Sequence, residues 1–211
     1  MIKTKRFWLV QVWLSLGLVL FLGLAYSPAA AATVLYTADT SGAVIVQSRR
    51  TLRDQDRHSW QVIGFKPILA CSQQNQADGC EGGMALRLVG FPGAVEIDHA
   101  QPITFTDPKG HTLPVHNISN QIGKDVPLQP HVAQYDLQTV LSELPIDYRL
   151  RLEVPTLTPP PVVLQIPPAL IQEWQTVVNT HSRDLIDACD KFPAEARQNP
   201  AFPAWVGCSS R

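Results

Sequence analysis

No catalytic signature occurs in this chain, and each missing pattern removes a class of function. There is no G-x-S-x-G, the tight elbow that presents a nucleophilic serine, which excludes a serine hydrolase of that design. No H-E-x-x-H sets two histidines and a glutamate on one helix face, so the metalloprotease arrangement is missing too. C-x-x-C is also absent and the histidines lie elsewhere than the cysteines, which argues against a zinc site. Gly79, Gly82 and Gly83 surround no phosphate-loop lysine, so nucleotide binding is not expected. No internal repeat is present. Proline is not scarce: 18 of them punctuate the chain, favouring short elements and many turns over long helices.

What is present begins at the N-terminus. Lys3, Lys5 and Arg6 precede an apolar run from Phe7 to Ala25, followed by Ser27, Pro28 and the alanines Ala29 to Ala32. A basic end, an apolar middle and an A-x-A cleavage site make a secretory signal peptide, expected over residues 1–32 with the cut after Ala31 or Ala32. The rival reading is an uncleaved anchor, since a spanning helix needs about 20 apolar residues. Gln11 and Ser15 dilute the run, and the alanines favour cleavage, so the segment is expected in the membrane only during export. Losing those three basic residues leaves 14 Lys+Arg against 18 Asp+Glu, a net of −4. That excludes sequence-independent nucleic-acid binding, which depends on neutralising phosphates. Residues 33–211 suit one globular domain, with a core over 35–180 and a C-terminal extension over 181–211.

An even number of cysteines in an exported chain reads as disulfides. Cys71, Cys80, Cys189 and Cys208 allow three pairings, and Cys71–Cys80 with Cys189–Cys208 is favoured because each closes a short loop. Entropic treatments value such a loop at about 3 kcal/mol before strain.

Alternation of apolar and polar residues marks the strands. Tyr148 to Val154 sets four apolar side chains against Arg149, Arg151 and Glu153, the habit of an antiparallel sheet with one wet face. Val95 to Asp98 and Ile103 to Thr106 alternate likewise. Val44 to Val46, Trp60 to Phe65, Met84 to Val89 and Val162 to Ile166 are more uniformly apolar and read as central strands. Phe91-Pro92-Gly93 has turn chemistry that would fold Met84–Val89 back on Ala94–Asp98. Asp107-Pro108-Lys109-Gly110 would join Ile103–Thr106 to His111–Val115. Asp136 caps a short helix with Leu137, Val140, Leu141 and Leu144 on one stripe and Pro145 at its end.

A second helix begins at Pro167-Pro168. Its apolar stripe runs from Leu170, Ile171 and Trp174 through Leu185 to Phe192, with Glu173, Arg183, Asp184 and Asp187 on the polar side and a weak point at Asn179–His181. Core packing is expected of Trp60, Phe65, Phe91, Phe105 and Trp174, and Trp205 is expected to seal the tail. The fold class is α+β: an antiparallel sheet or sandwich of about seven to nine strands against a C-terminal amphipathic helix, with a short helix before the last hairpin.

Four stretches taken together carry a resemblance. They are S-R-R-T-L-R-D-Q-D-R-H-S-W-Q-V-I-G-F-K from Ser48 to Lys66, L-R-L-V-G-F-P-G from Leu86, Y-D-L-Q-T-V-L from Tyr135, and I-P-P-A-L-I-Q-E-W from Ile166. They resemble the cyanobacterial domain-of-unknown-function family 3122, over roughly Leu35 to Val178. The resemblance implies an exported cyanobacterial protein of the periplasm or thylakoid lumen, and implies no activity. The insert carrying Cys71 and Cys80 and the tail past Thr180 stand outside the family pattern.

Among candidate contact residues, Arg49, Arg50, Arg53 and Arg57 form the densest basic group, and arginine forks suit an anionic partner or headgroup. Asp54, Asp56 and His58 are interspersed with them, so a solvated connection with internal Arg–Asp pairing is the plainer reading. No cofactor is expected. The function expected first is an exported non-enzymatic accessory or binding protein that contacts a protein or membrane complex. One alternative is a metal-assisted envelope hydrolase using Asp98, His99, His111 or His116. The other is a carrier of a small apolar ligand held between sheet and helix.

Overall fold

The structure, a computed structural model, describes residues 34–38, 43–69, 81–122, 127–198 and 202–208, all within one compact unit spanning 32–211. The signal-peptide segment and the Cys71–Cys80 pair with its intervening loop lie outside the described residues. Among the described residues, nine strands form two antiparallel sheets. The first has the order β1 (Val34–Ala38), β2 (Val44–Arg53), β3 (Ser59–Ile68), β4 (Ala85–Val89), β7 (Val132–Asp136). The second has the order β6 (Thr112–Val115), β5 (Ile103–Thr106), β8 (Leu150–Val154), β9 (Val162–Ile166). The α+β class expected from the sequence is the one found.

Alternation decides which side chains enter the core. Val44 and Val46 on β2, Trp60 and Val62 on β3, and Leu86 and Leu88 on β4 are each almost wholly buried. Leu150, Leu152 and Val154 do the same for the second sheet, and both sets belong to one apolar cluster. The sheets also meet through the backbone. After β6 the chain crosses to the free edge of β7, where Asp136 N–H donates to His116 O at 3.0 Å and Ile118 N–H to Gln134 O at 2.7 Å. Asp107-Pro108-Lys109-Gly110 makes the expected turn, with Gly110 at φ 88°, where a side chain would strain the backbone.

Two expectations about the loops that follow β4 and β7 need correction. Asp136 to Leu144 does not form an α-helix. Asp136 completes β7, and the chain then makes a turn and the 3₁₀ segment Leu141–Glu143, although Leu137, Val140, Leu141 and Leu144 are all buried as their spacing implied. The Pro92-Gly93 turn forms, with Gly93 at φ 78° and Ala94 N–H on Phe91 O, but Ala94–Asp98 does not return as a hairpin. Both edges of β4 are already occupied, by β3 and β7, so only Ile97 finds a bridge, to Thr156.

Helix α1 (Pro168–Val178) starts on proline and lays Leu170, Ile171, Trp174 and Val177 onto β2 and β3. Trp174 reaches through to the second sheet, edge-on to Phe105 at a centroid distance of 6.2 Å. Gly64 on β3 makes room for it, since a Cβ there would lie 2.4 Å from Trp174 Cδ1. Glu173 corrects the expected polar face. It is 1% exposed, accepting the Ser48 hydroxyl and a two-pronged contact from Arg50. The helix ends at Val178, at the weak point seen in the sequence. No helix among the described residues is long and apolar enough to cross a membrane.

Lys66 holds that end. Its buried ammonium donates to Val178 O at 2.9 Å and Thr180 O at 3.0 Å, where helix carbonyls lack internal partners. Glu81 balances the charge at 2.7 Å and also accepts from Ser182 N–H and contacts His181 Nδ1. Burial opposes the Glu81 charge, but Lys66 and these donors hold its pKa down at about 2, against an ordinary 4.5. A carboxylate depressed in the folded state stabilises above its unfolded pKa and loses that contribution as pH falls through the folded value. Between pH 4.5 and 2 the protein should therefore lose about 2 kcal/mol through this group, after allowance for partial exposure of the side chain. Urea titrations of Glu81→Gln should show that increment missing. An identical pH slope in the variant would refute the assignment.

Beyond α1 the extension folds back as single turns, among them α2 (Ala194–Arg197). Leu185, Phe192 and Val206 are buried, Phe192 lies edge-on to both Tyr36 and Phe202, and Trp205 packs against the core. The Cys189–Cys208 disulfide is present, with Cα atoms 5.5 Å apart, and Asp187 N–H donates to Val206 O beside it.

Candidate functional site

Three connections meet at one end of the two sheets: the β2–β3 hairpin loop, the β4–β5 segment from Phe91 to Glu96, and the β8–β9 segment from Thr156 to Pro160. Between them lies a surface groove of about 480 Å³. Asp54 builds the first wall. One carboxylate oxygen accepts the Asp56 and His58 N–H groups at 2.9 and 2.8 Å, and the other accepts the Trp60 indole at 3.0 Å. Burial works against this charge, but the Trp60 indole and the two amides hold the Asp54 pKa below the ordinary carboxylate range. The hairpin closes through Arg57 at φ 67°. Gln55 ties it to the third wall: its amide donates to Pro161 O at 3.2 Å and accepts from Val163 N–H at 2.7 Å. A side-chain amide thus covers part of the open edge of β9.

The middle wall carries Phe91, expected in the core and found 67% exposed. The Pro92-Gly93 turn pushes it outward because no strand returns to cover it. Glu96 lines the groove and its carbonyl accepts Leu157 N–H at 2.9 Å, which ties the middle wall to the third. Asp56 and Glu96 are exposed, and among the described residues neither carboxylate has a hydrogen bond or ion pair from a side chain. Among the described residues, no lysine or arginine lines the groove.

The four arginines flagged by the sequence do not stand together. Arg49 and Arg53 fall on the outward parity of β2 and are exposed, and Arg57 sits exposed in the hairpin loop. Arg50 takes the inward parity with Val44, Val46 and Ser48 and is bonded to Glu173, which raises its pKa. Arg87, not flagged, stacks over Phe65 at 5.0 Å and donates to Gln134, and burial lowers its pKa.

The histidine set is dispersed. Asp98 caps its own turn through Ala100 N–H and Gln101 Nε2. Both ring nitrogens of His99 are buried without a partner among the described residues, and burial lowers its pKa against the pull of Asp98. His111 contacts Asp107 at 3.0 Å across its turn, and His116 is exposed after β6. Among the described residues, the group of three or more potential metal ligands is Asp54, Asp56 and His58, not any combination of Asp98, His99, His111 and His116. Asp54 in that group is occupied with organising the hairpin.

Glu96, Phe91, Gln55 and the segment 156–160 are not legible as a site in the sequence because they come together only in three dimensions. The usable signal is Phe91 itself, an aromatic locked before Pro-Gly. In the comparisons with known proteins, a family model described as "Protein of unknown function (DUF3122)" matches residues 32–177. No curated protein and no solved structure matches the chain.

Proposed function

This chain belongs to the DUF3122 family, and we propose that it is an exported, non-enzymatic accessory protein that contacts a protein or membrane complex through the groove. The compartment we propose is the periplasm or thylakoid lumen of a cyanobacterium. The basic–apolar–alanine pattern of residues 1–32 and a disulfide between Cys189 and Cys208 support export. The observation that carries the binding role is a large aromatic, Phe91, held out in solvent beside two unpaired carboxylates on a rigid frame. Exposed aromatics in such settings are frequent anchors of protein contacts, and loops on a packed scaffold are where binding concentrates. Carriage of an apolar ligand is the less favoured reading, because Trp174 and Phe105 fill the space between helix and sheets.

A photo-crosslinking amino acid at position 91 tests this. In native cells it should give a discrete adduct with one partner, and the same probe at exposed Ile186 should not. No adduct at 91, or the same adducts from both positions, would overturn the proposal.

A further inference from the structure

The groove has a charge character that narrows what it takes. Resting on the binding role just proposed, we infer that it accepts an extended segment of a protein partner carrying an arginine or lysine next to an apolar side chain. The lining includes Asp54, Asp56 and Glu96 and no lysine or arginine, and Arg57, though in the same hairpin, does not line it. Asp54 is nearly buried and already holds its donors, so the available negative charge is that of Asp56 and Glu96.

Phe91 stands on the same rim as Glu96. An aromatic face beside a carboxylate favours a cation twice, through the ring quadrupole and through a charge-assisted hydrogen bond. A guanidinium can do both at once, stacking on the ring while its fork meets the carboxylate. The exposed ring of Phe91 also leaves apolar surface for the neighbouring side chain of the same segment. The volume, about 480 Å³, holds a few side chains rather than a folded domain, which fits an extended strand of partner. An acidic segment would set its charge against Asp56 and Glu96, with no lysine or arginine among the described lining residues to relieve it and His58 already beside Asp54.

The probe is the peptide acetyl-Gly-Leu-Arg-Leu-Gly-amide, with glutamate in place of arginine as its counterpart. Trp60 is 1% exposed, lines the groove floor and donates its indole to Asp54, so its indole N–H resonance reports occupancy. The arginine peptide should shift that resonance saturably and more weakly as salt rises, and the glutamate peptide should not. Asp56→Lys with Glu96→Lys, both at exposed positions and so compatible with folding, should weaken the arginine peptide by about tenfold or more. Phe91→Ala should weaken it and narrow the preference for arginine over glutamate, leaving the part that Asp56 and Glu96 supply.

Equal titration by the two peptides, or unchanged binding to the doubly reversed variant, overturns the inference. If the position-91 adduct forms while the arginine peptide fails, the partner chemistry is wrong and the binding role stands. If both fail, the groove is not the contact surface.

Discussion

Trp174→Ala should lower the unfolding free energy by about 3–5 kcal/mol, as expected when a fully buried indole is removed and the site cannot collapse. Trp174 is 0% exposed and is the point where α1, β3 and the second sheet meet: it stands edge-on to Phe105 and over Gly64. The fit works from both sides. A Cβ added at Gly64 would lie 2.4 Å from Trp174 Cδ1, 2.6 Å from Nε1 and 2.8 Å from Met84 Cε. Gly64→Ala should therefore cost about 1–3 kcal/mol by overpacking. The two effects are coupled. In a Trp174→Leu background the Gly64→Ala penalty should shrink, because the shorter side chain vacates the volume the methyl needs. Urea denaturation of the four proteins gives the coupling directly. Strict additivity would mean that β3 lacks a side chain there for some reason other than the indole.

That contact shows how far sequence pattern reaches. The spacing of Leu170, Ile171, Trp174 and Val177 places the helix and its stripe, and Pro167-Pro168 places its start. Alternation at Leu150, Leu152 and Val154 locates a strand with one buried face. These are properties of neighbours in the chain, which dihedral periodicity turns into neighbours in space. Gly64 reads only as a glycine, because its meaning lies in a residue 110 positions away.

The errors share a physical cause. Leu137, Val140, Leu141 and Leu144 have helical spacing and are buried, but β7 claims Asp136 and Gln138 is bonded to the Met84 backbone, so the stretch before Pro145 closes as a turn and a 3₁₀ segment instead. Phe91 reads as a core residue because its turn chemistry suits a hairpin. Pairing on both sides of β4 removes the strand that would have covered it. The groove as a whole is hidden in the sequence, since its walls come from positions near 55, 93 and 158 and no local pattern joins them. The arginine group is visible as composition but not as geometry. Parity along β2 does separate Arg49 and Arg53 from Arg50, and Ser48 on the inward parity is a usable hint that something polar lies opposite.

Arg50→Met should destabilise the protein by about 3–5 kcal/mol at neutral pH, the cost expected when one partner of a buried pair is removed and the other charge is stranded. The stranded group is Glu173, whose side chain is 0% exposed, left with the Ser48 hydroxyl alone. The asymmetry of the pair makes the test specific. Arg50 keeps 30% of its side chain in contact with solvent, so Glu173→Gln leaves a cation that water can still reach, and its cost should be smaller. The double variant Arg50→Met with Glu173→Leu removes both charges and should restore most of the loss, since apolar replacement of a buried pair is often neutral. If Arg50→Met were as stable as wild type, or if the double variant recovered none of the loss, Arg50 would not be the neutralising partner of Glu173. It would then rejoin Arg49, Arg53 and Arg57 as a residue free to meet an external anion.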